Sequence, residues 1–97
     1  MKEIPNKSTS LPIKADGSPV TFLDFLKEAL DSMPPGGFDP ATLRARARVD
    51  KAIAGINPGD LIKLEDADYD TAQAAVKALR WTTRNSDCIA FIDAFGV

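Results

Sequence analysis

The strongest constraint on the fold is a break in the first half of the chain, from Pro34 to Gly37, where two prolines are followed by two glycines. A helix does not continue through consecutive prolines, because proline lacks the backbone N–H and its ring clashes with the preceding turn. Helix-start signals flank the break. Thr21 suits an N-cap position with Asp24 as its capping-box partner, and Asp39 precedes Pro40 as an N-cap precedes proline at the first helical position. The sequence therefore predicts two helices joined by a tight connection.

The apolar spacing after each start signal predicts how far these helices extend. The first should run from residue 22 to about residue 33, with an inward face that recurs at three and four residues: Phe22, Phe25, Leu26, Ala29, Leu30 and Met33. The second should run from residue 40 to about residue 54 before Gly55 closes it. Its inward stripe is weaker and consists of Leu43, Val49, Ala52, Ile53 and Ile56, with Phe38 packing on Leu43.

Two further helices are predicted in the second half of the chain. The third begins with Asp66, Asp68 and Asp70, whose negative charge suits a helix N-terminus, and it extends to about Arg80. Its inward residues are Tyr69, Ala72, Val76 and Leu79. The fourth is short: Ser86 caps it and Gly96 ends it. Its inner side holds Cys88, Phe91 or Ile92, and Phe95.

Two short apolar segments have the composition of strands. Residues 61–64 are rich in branched apolar side chains, and their predicted antiparallel partner is the segment of residues 11–14. Residues 1–10 are polar, and we expect a flexible N-terminal tail there. The predicted fold is thus an α+β, mostly helical single domain over residues 11–97, with about four helices and a small two-stranded β-ribbon.

The side chains that most often carry catalysis are missing from this chain. It has no histidine, a single cysteine and no glycine-rich phosphate loop, which excludes catalytic triads and most transition-metal sites. The aspartates from residue 66 to residue 70 imitate a calcium loop, but Thr71 replaces its turn glycine and Lys77 its closing glutamate. We therefore expect a non-enzymatic protein with no catalytic residue, cofactor or metal. An enzyme that uses Asp, Lys or Tyr chemistry ranks below that interpretation.

The charge distribution limits which classes of molecule we expect this protein to bind. A net charge of −2 argues against bulk nucleic-acid binding, and no apolar run is long enough to span a membrane. The basic residues gather in the second helix, where Arg44, Arg48 and Lys51 fall on one side and Arg46 points away toward Asp50. This side is either a solvated surface or a docking stripe for an acidic protein or phosphate.

Trp81 completes the set of candidate partner-binding residues, which are Arg44, Arg48, Lys51 and Trp81. A tryptophan is most often a core or boundary residue, and otherwise a contact hot spot. The alternative for the whole chain is a homo-oligomer, formed through this basic side or through apolar residues of the last helix.

The order of short phrases along the chain supports a more specific interpretation. L-P-I-K-A-D-G-S precedes T-F-L-D-F-L, then P-P-G-G-F follows, and later L-I-K-L-E-D-A-D-Y enters an alanine-rich helix. Over about residues 11–95 this order resembles small uncharacterised proteins of tailed bacteriophages and prophages. The resemblance implies action in the bacterial host cytoplasm, or in the virion. The expected function is a protein-interaction module: an assembly factor, an adaptor or an inhibitor of a host protein. The alternative is an oligomerising minor virion component.

Overall fold

The computed structural model of the protein describes residues 2–9, 20–32, 36–79 and 86–97. Six elements follow one another: β1 (Lys2–Pro5), α1 (Phe22–Asp31), α2 (Pro40–Ala52), β2 (Leu61–Leu64), α3 (Asp66–Ala78) and α4 (Ser86–Ala94). The predicted α+β class, with four helices and a two-stranded antiparallel sheet, is confirmed. No helix in the described ranges has the length and apolar character needed to cross a membrane.

The predicted starts of the first two helices, α1 and α2, are confirmed by the side-chain caps that the structure shows there. The Asp24 amide donates to Thr21 Oγ1, and the Thr21 amide donates to Asp24 Oδ2 over 2.9 Å, which completes the capping box of α1. The Thr42 amide donates to Asp39 Oδ1 over 2.8 Å at the start of α2. Gly55, with a φ of +80°, takes the left-handed conformation in the turn that follows α2.

The strand that pairs with β2 differs from the predicted one. β2 pairs antiparallel with β1, with Ile4 opposite Ile62, and residues 11–14 lie outside the described residues. The prediction of a flexible tail over residues 1–10 is likewise wrong for residues 2–9, because Ile4 is 3% exposed and belongs to the core. β1 has a single inward apolar side chain, Ile4, so the alternation that normally reveals a strand is too short to recognise in the sequence.

Asn6 explains how a polar N-terminal segment is held in place. The residue is 1% exposed, and all of its polar groups have partners. Its Nδ2 donates to the Asn57 carbonyl over 3.1 Å, and its Oδ1 accepts from the Leu23 amide at 2.8 Å. Its backbone amide donates to the carbonyl of Asp60, and its backbone carbonyl accepts from the amide of Gly59. Asn6 therefore joins the end of β1 to the start of α1 and to the turn before β2.

The core is a single cluster to which all six elements contribute. Phe91 of α4 lies at its aromatic centre, and three rings of the described residues have their centroids close to its own: Phe22 at 5.5 Å, Phe25 at 5.3 Å and Phe95 at 5.0 Å. The Phe22 and Phe25 rings meet Phe91 edge to face, a favourable geometry for aromatic pairs. The predicted inward faces of α1, α3 and α4 are confirmed for the described residues that are buried there: Phe22, Phe25, Leu26, Ala29, Leu30, Ala72, Val76, Cys88, Phe91 and Phe95.

The inward stripe predicted for α2 is only partly correct. Val49 and Ile53 are buried, but Ala52 is exposed and the Leu43 side chain is 55% exposed. The Arg46 guanidinium carbon lies 4.9 Å from the centroid of the ring of Phe38, the residue that was expected to pack on Leu43. The helix is thus rotated so that Leu43 faces outward.

Candidate functional site

The candidate site lies on α2, the helix that contributes least to the core. Nine of its 13 residues are exposed, and within its range only Val49 is buried. A helix in a globular domain normally buries a wide apolar stripe, and α2 buries a narrow one. Most of its circumference is therefore available to a partner.

Three cations occupy one side of this exposed surface. We call Arg44, Arg48 and Lys51 the basic face; all three are exposed and lie four and three residues apart. Arg44 and Lys51 are separated by two helical turns, or roughly 10 Å along the axis. Within the described ranges, neither of these two side chains makes a hydrogen bond or an ion pair. The three cations thus share one side of α2, and among the described residues two of them are available to bind an anion.

Arg48 has a weak partner within the chain. Its Nε lies 4.0 Å from Asp68 Oδ1 in the first turn of α3. The Arg48 side chain is 64% exposed, and an exposed ion pair of this length contributes little free energy. The Arg48 guanidinium is consequently still accessible, and the acidic start of α3 lies beside the basic face.

The basic face is not neutralised by the acid on its own helix. Burial raises the pKa of Asp50, and the nearby Asp31 carboxylate raises it further, while Lys27 opposes the shift. Both charged groups that shift this pKa, Asp31 and Lys27, belong to α1. Since Arg44 and Arg48, and Arg48 and Lys51, are like charges one turn apart, each pair costs about 0.2–0.5 kcal/mol of helix stability. An anionic partner would relieve this repulsion.

Arg46 has a structural role that the sequence did not reveal. Its predicted contact with Asp50 is wrong. Its Nη1 instead donates to three backbone carbonyls at the end of α1, those of Ala29 (3.3 Å), Leu30 (3.0 Å) and Ser32 (2.9 Å). Carbonyls at a helix C-terminus lack intrahelical donors and carry partial negative charge, so a guanidinium is well suited to them. Arg46 thereby ties α2 to α1 and sets which side of α2 faces solvent.

A second surface feature of α2 was missed in the sequence. Leu43, predicted to lie inward, is exposed together with Ala47 one turn later. We call Leu43 and Ala47 the apolar strip; it borders the basic face, because Ala47 is one turn from both Arg44 and Lys51. The weak apolar periodicity of α2 was the one sequence signal that pointed to such an arrangement.

The other candidate residues do not join this surface. Trp81 lies outside the described residues. Cys88 is buried, and burial, with Asp87 nearby, raises the pKa of its thiol, so that the reactive thiolate is disfavoured. Among the described residues, no three Cys, Asp or Glu side chains are grouped as a metal site would require. An open depression of about 400 Å³ lies beside Gln73, Lys77 and Gly96, but Gln73 Nε2 is already bonded to the Phe95 carbonyl over 2.9 Å.

Comparison of the chain with known protein families, with curated proteins and with solved structures finds no match. The geometry and charge of α2 are therefore the basis on which a function is inferred.

Proposed function

We propose that this chain is a non-enzymatic protein-interaction module that binds an acidic protein partner through the basic face of α2. The observation that carries the proposal is that Arg44 and Lys51 are exposed and unpaired among the described residues, beside Arg48, on a chain of net charge −2. Positive charge gathered on one side of an otherwise acidic domain attracts acidic surfaces and orients them.

The resemblance to small tailed-bacteriophage and prophage proteins supports a setting for this module. In that setting it acts in the bacterial host cytoplasm or in association with the virion. Its role is that of an assembly factor, an adaptor or an inhibitor of a host protein. Nucleic acid is a weaker partner, because the chain is acidic overall and the two apolar residues of α2 beside the basic face, Leu43 and Ala47, are aliphatic rather than aromatic.

The proposal is tested by reversing charge on α2. The double substitution Arg44→Glu with Arg48→Glu should slow association with the acidic partner by about tenfold, and added salt should reduce the difference. The matched control is Lys7→Glu with Lys63→Glu, two exposed cations elsewhere, which produces the same change in net charge. Circular dichroism checks that both variants remain folded.

The partner for these measurements comes from a differential capture. Wild-type protein, the α2 variant and the control variant are each used as bait in extracts of infected or lysogenic bacteria, and mass spectrometry identifies what binds. The true partner should be retained by wild type and control and lost with the α2 variant, and the purified partner then supplies the association rates. Equal losses with the two variants would show that overall charge matters and the basic face does not.

One observation favours a second candidate, an oligomerising minor virion component. Arg48 already approaches Asp68, so the basic face of one copy could pair with the acidic α3 start of another. Light scattering distinguishes the two functions. A wild-type oligomer that dissociates in the Arg44→Glu, Arg48→Glu variant, and reforms when Asp68→Lys and Asp70→Lys are added, would support self-association over a separate partner.

A further inference from the structure

The exposed side of α2 combines two kinds of surface. The apolar strip holds Leu43, 55% exposed, and Ala47, also exposed. The basic face lies directly beside it. Residues three and four apart are neighbours on a helix surface, so Ala47 lies next to Arg44 and Lys51. A partner that covers the basic face therefore also covers apolar side chains.

This combination fits a helix better than an extended acidic segment. A second helix has the same rise per residue, so carboxylates spaced three and four residues apart along it match the spacing of the three cations. Ala47 is small and allows close approach of the two backbones, and Leu43 supplies a larger side chain to pack between turns of the partner. The α2 helix of a second copy does not fit, because it would bring two sets of cations together.

We infer that the docking element of the partner is an amphipathic α-helix. Its apolar stripe covers Leu43 and Ala47, and its acidic flank faces Arg44, Arg48 and Lys51. This inference rests on the proposed function and adds the shape of the partner to its charge. The two surfaces contribute differently: the cations act mainly on the association rate and its salt dependence, and the apolar strip acts mainly on the dissociation rate.

Defined peptides of about five helical turns test the inference. The first carries leucine and alanine along one side with glutamate along the adjacent flank. The second has the same composition in a shuffled order that breaks both stripes, and a side-chain staple keeps both helical. Poly-L-glutamate is the third probe and reports charge alone. Fluorescence anisotropy measures their binding at about 0.05 M and 0.3 M salt.

We expect the amphipathic peptide to bind about tenfold more tightly than the shuffled peptide or poly-L-glutamate. The substitution Leu43→Ala should weaken its binding by about five- to tenfold and leave the salt dependence unchanged. The matched control is Leu61→Ala on β2, a leucine of similar exposure (44%), which should bind as wild type does. The substitution Ala47→Gln adds bulk without charge on a helical surface and should also weaken binding.

The possible failures are distinguishable. Equal binding of amphipathic and shuffled peptides, with Leu43→Ala indistinguishable from Leu61→Ala, would overturn the helix as docking element. A remaining effect of the Arg44→Glu, Arg48→Glu variant would then leave the proposed acidic partner standing. If no probe binds wild type and charge reversal also leaves partner association unchanged, both the inference and the proposed function are wrong.

Discussion

The helices α1 and α2 begin with the same sequence device and have opposite roles in the molecule. Each starts at a side-chain N-cap, Thr21 for α1 and Asp39 for α2. Six of the ten residues of α1 are buried, however, against one of 13 in α2. A cap specifies where a helix starts, and the apolar stripe that follows specifies whether the helix builds the core or presents a surface.

The hydrogen bonds at the helix ends also distinguish α1 from α2. At its N-terminus the Phe22 amide donates to the Lys7 carbonyl over 3.0 Å, and the Leu23 amide donates to Asn6 Oδ1. At its C-terminus the carbonyls accept from Arg46. Distant parts of the chain therefore satisfy backbone groups that a helix leaves without intrahelical partners. The side-chain cap of α2, by contrast, is local: Asp39 accepts from Thr42.

The largest predicted loss of stability comes from a truncation in the buried face of α1, and the equivalent truncation on α2 should have little effect. Phe25→Ala removes a buried ring that packs on Phe91, and it should lower the free energy of unfolding by about 3–5 kcal/mol. Leu43→Ala on α2 is the matched truncation of an exposed side chain, and it should change stability by less than about 0.5 kcal/mol. Urea unfolding measures both values. Equal midpoints for Phe25→Ala and wild type would contradict the assignment of α1 to the core.

A smaller effect is predicted for the polar anchor of α1. Asn6→Ala leaves the buried Leu23 amide without its partner and removes the part-buried bond to the Asn57 carbonyl, and this should cost on the order of 2–3 kcal/mol. Asn57→Ala is the control, because Asn57 contributes its backbone carbonyl to this contact and the substitution preserves that group. The same urea titration applies. If the two variants are equally stable, the Asn6 side chain does not anchor α1.

The features that the sequence predicts join residues close together in the chain. The features that it misses join residues far apart in the chain. Helix starts and inward faces depend on caps and on periodicity within a few turns, and these are local. The β1 partner of β2, the four hydrogen bonds of Asn6 and the contact of Arg46 with α1 join segments far apart in the chain. No local pattern encodes them, so the sequence alone predicts a tail for the N-terminal segment.

Within the candidate site on α2, the sequence likewise predicts the local feature and misses the one that depends on tertiary contacts. The spacing of Arg44, Arg48 and Lys51 predicted that they share a side, since helical geometry alone decides this. The outward position of Leu43 depends on how α2 is rotated against α1. Val49, Ile53 and Arg46 set that rotation through tertiary contacts. The sequence therefore predicted the basic face and missed the apolar strip beside it.

The smallest predicted effect concerns the α2 cap and its dependence on pH. The Thr42 amide and hydroxyl both donate to the Asp39 carboxylate, and these bonds hold its pKa below the ordinary value of 3.8. A carboxylate with a lowered pKa in the folded state stabilises that state fully above its unfolded pKa, and the stabilisation is lost as pH falls through the folded value.

Asp39→Ala should therefore lower the melting temperature at neutral pH, and the difference from wild type should shrink once the pH falls below 3.8. Asp39→Asn, which keeps a neutral cap, should show a smaller difference at neutral pH that also shrinks on acidification. Because Asp39 is exposed, solvent screens the charge and the pH-dependent part is small. A difference between Asp39→Ala and wild type that stays constant across this range would mean that the charge of the Asp39 carboxylate does not stabilise α2.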